Sequence, residues 1–72
     1  MTHPPDGWTA YVKPDSQGLS IVLGYQRGKS FFRRAKLFSQ RELWEQQVAP
    51  ILYATGWTIV HPSGEIDRGA TP

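Results

Sequence analysis

The chain has 72 residues and about 8.1 kDa, no cysteine, and eight basic against six acidic side chains. That length holds one domain, and the missing cysteines exclude a disulfide framework and a cysteine zinc site. Hydrophobic content of 39% with nine aromatics, three each of Trp, Tyr and Phe, is enough for a modest core and argues against full disorder.

Residues 1–7 are rich in Pro, Gly and Asp and read as a flexible N-terminal tail. Trp8 to Lys13 alternates as a strand should, with Trp8, Ala10 and Val12 on one face. Pro14-Asp15-Ser16-Gln17-Gly18 supplies turn chemistry. Leu19 to Gln26 is a second strand, with Leu19, Ile21, Leu23 and Tyr25 on one face. Arg27-Gly28-Lys29 is a short hairpin loop, and Ser30 to Phe38 is an aromatic third strand. Ser39-Gln40-Arg41-Glu42 has the pattern of a capping box. Trp44, Val48, Ile51, Leu52 and Thr55 then follow at helical spacing, and Gly56 suits the C′ position. Pro50 lacks the N–H that a helix interior needs, so a kink or break is expected there. Trp57 to His61 is a β-branched and aromatic fourth strand, and 62–72 reads as a flexible C-terminal tail.

The order β-β-β-α-β predicts a single α+β domain over 8–61. A four-stranded, mostly antiparallel sheet would pack on one kinked helix. The expected core is Trp8, Val12, Ile21, Leu23, Phe31, Leu37, Trp44, Val48, Ile51, Leu52 and Ile59.

No sequence pattern calls for catalysis. Ser39 is explained as a cap and Ser16 as a turn residue, and no Gly-x-Ser-x-Gly is present. His61, Glu65 and Asp67 are three potential metal ligands, but their placement in a tail reads as solvated charge. There is no Walker loop and no Gly-x-Gly-x-x-Gly. The expectation is a non-enzymatic protein with no cofactor and no metal. No apolar run approaches the ~18–20 residues that cross a bilayer, and the first residues lack the character of a signal peptide. A cytoplasmic, soluble protein is expected.

The net charge of +2 hides a contrast. Residues 27–41 carry Arg27, Lys29, Arg33, Arg34, Lys36 and Arg41 with no acid, a local +6. The remainder carries Lys13 and Arg68 against six acids, a local −4. Such asymmetry attracts an anionic partner to the second hairpin and the helix start. Simple alternation puts Phe32, Arg34, Lys36 and Phe38 on one face of the third strand. Phe31, Arg33, Ala35 and Leu37 take the other, where Arg33 is a misfit among core residues. Tyr11 and Lys13 could join the outer stripe from the first strand. The candidate partner-binding residues are therefore Arg27, Lys29, Phe32, Arg33, Arg34, Lys36 and Arg41.

Residues 19–55 resemble the three-stranded-sheet-plus-helix DNA-binding domains found at the start of phage integrases and in a group of plant transcription factors. The resemblance rests on Gly28-Lys29 in the hairpin, Arg33, Arg34 and Lys36 on the strand, and Phe38-Ser39 entering the helix. The fourth strand and Pro50 depart from that pattern. In size, element order and charge asymmetry the whole chain is similar to the small regulators that bacteriophages make to bind host transcription machinery. That likeness implies a host protein with an acidic surface as partner, such as an RNA polymerase subunit. Direct DNA or RNA binding through the basic and aromatic sheet face is the alternative. Neither a membrane nor a small-molecule substrate is implied.

Overall fold

A computed structural model describes residues 6–69. Three long strands come first: β1 (Gly7–Asp15), β2 (Gly18–Arg27) and β3 (Ser30–Ser39). One helix, α1, follows over 41–54, and then β4 (Thr58–Val60) and β5 (Ile66–Asp67). The sheet order is β3-β2-β1-β4-β5. The two long hairpins are antiparallel and so is β4 with β5, but β4 lies parallel to β1.

The α+β class, the single helix and the mostly antiparallel sheet agree with the sequence reading, while the fifth strand and the parallel β1–β4 pair do not. The parallel pair follows from the helix. It leaves the sheet at the end where β3 finishes and returns the chain to the end where β1 begins, so β4 starts alongside Thr9. The fifth strand falls within the stretch expected as a tail. There His61 N–H donates to the Glu65 carbonyl, and Gly64, at φ 91°, turns the chain. The expected N-terminal tail lies mostly outside the described residues, as do residues 70–72.

The helix starts and bends differently from expectation. Ser39 is the last residue of β3, so Gln40 takes the N-cap position and no side chain caps the first turn. The Ser39 hydroxyl donates instead to the Gln40 carbonyl at 3.1 Å. Ladder pairing with Leu19 has claimed the residue that the capping-box pattern assigned to the helix. Trp44–Val48 is a π-helical segment between α-helical turns at Arg41–Leu43 and Ala49–Ala54. In it the Ala49 N–H donates to the Trp44 carbonyl, one residue further back than in an α-helix. The wide turn sits immediately before Pro50, whose ring would otherwise press on the carbonyl four residues earlier. It also aligns Trp44, Val48 and Leu52 at a spacing of four and rotates Ile51 outward, where it is exposed. The C-terminus follows the expected pattern. Gly56, at φ 90°, donates to the Tyr53 carbonyl and Trp57 N–H to the Leu52 carbonyl, a Schellman motif.

The core lies between α1 and one face of the sheet. It consists of Ala10, Val12, Leu19, Ile21, Trp44 and Ile59, with Leu23, Val48, Ala49 and Leu52 packed against it. Trp8, Leu37 and Ile51 were expected there and are exposed instead. Phe31 is half-buried on the opposite face, edge-on to Tyr11 at 4.8 Å between ring centres. No helix among the described residues is long and apolar enough to cross a membrane.

Candidate functional site

The position of Phe31 has one cause, a bulge in β3. Ala35 pairs with Leu23 and Arg33 with Gly24, so Arg34 has no partner of its own on β2. One extra residue inverts the alternation of everything before it. Phe32 therefore pairs with Tyr25 and joins the helix-side face, while Phe31 pairs with Gln26 and crosses to the other. Gly24 makes the inversion possible. A Cβ there would lie 2.7 Å from the Phe31 ring and against the Phe32 carbonyl. The Phe31 ring thus occupies the space that a side chain at 24 would need.

The inverted register builds a row. Trp8 pairs with Tyr25, and Tyr25 with Phe32, so three aromatics stand in register across β1, β2 and β3 on the helix-side face. They are 42%, 37% and 57% exposed, because α1 covers the other end of this face. The Trp8 ring meets Tyr25 edge-on at 5.4 Å and tilts against Trp57 at 5.5 Å. The Arg34 guanidinium stands over Trp8, 5.7 Å from its centre. Trp8, Tyr25, Arg27, Phe32, Arg33 and Arg34 line one open groove of about 460 Å³.

The hairpin beneath is braced from below. Gln26 is buried, accepts from the Tyr11 hydroxyl at 2.7 Å and donates to the Gly28 carbonyl at 2.7 Å. Burial raises the Tyr11 pKa above its ordinary value. The Asp6 carboxylate accepts the Gly28 N–H at 2.5 Å, so this acid is engaged by backbone. Among the described residues the single ion pair joins Nε2 of His61, just past β4, to Oδ2 of Asp67 on β5, at 2.7 Å. None of the three groove arginines has a carboxylate partner there. No three metal-ligating side chains converge among the described residues.

The seven residues singled out in the sequence are thus divided. Arg27, Phe32, Arg33 and Arg34 share the groove, and Lys29 sits in the turn beside it. Lys36 pairs with Val22 on the opposite face, and Arg41 begins the helix at the far end of β3. Two further groove residues were not among the seven: Trp8, which was expected in the core, and Tyr25, which shares a strand face with the core residues Ile21 and Leu23. The signals for the bulge were Arg33 among core positions and Gly24 in mid-strand. Comparison of the chain with protein-family models, with curated proteins and with solved structures found no match.

Proposed function

We propose that the chain is a non-enzymatic binding module that takes single-stranded nucleic acid in the groove of Trp8, Tyr25 and Phe32. The observation that carries this reading is the aromatic row in register across three strands, flanked by Arg27, Arg33 and Arg34. Flat exposed rings on adjacent strands offer stacking surfaces for unpaired bases, worth about 1–3 kcal/mol per base. These arginines have no carboxylate partner among the described residues and are available to the phosphates between those bases. A duplex hides its base faces and would gain only the charge contribution.

A titration of the full chain with oligothymidylate and oligouridylate tests this, read by tryptophan fluorescence. Binding should weaken with salt at a log–log slope of about 2, from ~0.7 for each of three phosphates. Duplex of equal length should compete poorly. Absence of binding to both single strands at low salt rejects the reading. A second reading is favoured by the Arg and aromatic composition of the groove, which also suits a protein hot spot. In it the groove meets an acidic protein surface, such as a component of the transcription machinery. An oligonucleotide that fails to displace that protein would favour it.

A further inference from the structure

The strand that supplies the groove is also the free edge of the sheet. β3 is the first strand in the order and is ten residues long, with no strand outside it among the described residues. Past the bulge, Ala35–Ser39 pairs in unbroken register with Leu19–Leu23. Every second N–H and C=O of that segment points away from β2, at the spacing of another strand. The side chains there are unusually open for a sheet, with Leu37 41% and Phe38 53% exposed. Leu37 stands on the helix-side face, and Lys36 and Phe38 on the opposite one.

Charge chooses among the occupants. A second copy paired through β3 would set two 27–41 segments side by side, each with six bases and no acid, in any register. Nucleic acid has no peptide groups with which to continue the ladder. An extended peptide with acids on alternate positions meets both requirements. Its acids would face Lys36 on the face away from the groove, with Arg41 just past the strand end, and its apolar positions would lie beside Leu37. We propose that the Ala35–Ser39 edge accepts an acidic, extended segment of another protein by strand addition. This surface is separate from the aromatic groove and does not depend on what the groove binds.

The test uses the full chain, isotope-labelled, and a short capped peptide alternating glutamate with valine or threonine. Binding should slow exchange of the outward amides of Ala35–Ser39 about tenfold or more. It should weaken about tenfold as salt rises from about 0.05 to 0.5 M. Lys36→Glu should weaken peptide binding about tenfold and leave oligothymidylate binding unchanged, since Lys36 lies on the face away from the groove. A peptide of equal charge with proline at alternate positions cannot complete the ladder and should not protect these amides. Three results would overturn the proposal. They are equal binding of the proline peptide, no binding of the glutamate peptide, and concentration-dependent protection of Ala35–Ser39 without any peptide, which would mean self-pairing.

Discussion

The two ends of one sheet face behave as opposites. At the end where β1 turns into β2, Val12, Leu19 and Ile21 lie dry beneath Trp44. At the end where β2 turns into β3, Trp8, Tyr25 and Phe32 stand open beside three arginines. The same strands and the same alternation produce both. The difference is coverage: a helix of fourteen residues spans ~21 Å, and a ten-residue strand ~33 Å. Burial at one end turns aromatic and aliphatic side chains into stability. Exposure at the other leaves similar side chains available to a partner.

That contrast is most easily broken at the covered end. Trp44→Ala should cost about 3–5 kcal/mol, comparable with the whole stability of so small a domain. Thermal denaturation followed by circular dichroism should show little or no cooperative transition. Gly24→Ala comes next, because its new methyl must displace the Phe31 ring or the Phe32 carbonyl. A loss of about 1–3 kcal/mol is expected in urea denaturation, with weakened oligonucleotide binding as the bulge shifts.

At the open end the signs of the experiment reverse. Phe32→Ala should change stability by less than about 1 kcal/mol and weaken oligothymidylate binding about tenfold or more. Arg34→Gln should reduce the salt slope by ~0.7, the share of one phosphate. The smallest effect concerns the brace below the groove. The folded-state pKa of Tyr11 is raised, so its contribution is complete below pH ~10 and is lost as pH rises through the folded value. Tyr11→Phe should remove that part of the alkaline decline in a pH series of melting curves.

Local chemistry made much of this fold legible in the sequence. Alternation located β1, β2 and β4 to within a residue or two, and Gly56 marked the helix end. Pro50 announced a disturbance, though its form was a π-turn rather than a kink, and that form rotated Ile51 out of the core. What stayed hidden depended on pairing. Ser39 looked like a cap until Leu19 claimed it for the ladder. The β3 bulge arises because Gly24 on the neighbouring strand yields its side-chain space to Phe31, a fact that no count along β3 contains. One extra residue at Arg33–Arg34 exchanged Phe31 and Phe32 between faces, and with them the candidate site. The charge contrast between 27–41 and the remainder was visible from the start, but the fold gathered only part of it into one groove.

The open end of the helix-side face is the proposed binding surface. A chemical-shift map of the labelled full chain, titrated with oligothymidylate, tests it most directly. Shifts should concentrate on the indole N–H groups of Trp8 and Trp57, the rings of Tyr25 and Phe32, and the amides around Arg27 and Arg33–Arg34. Shifts concentrated instead on Lys13, Val22, Lys36 and Phe38 of the opposite face, or none at all, would contradict it.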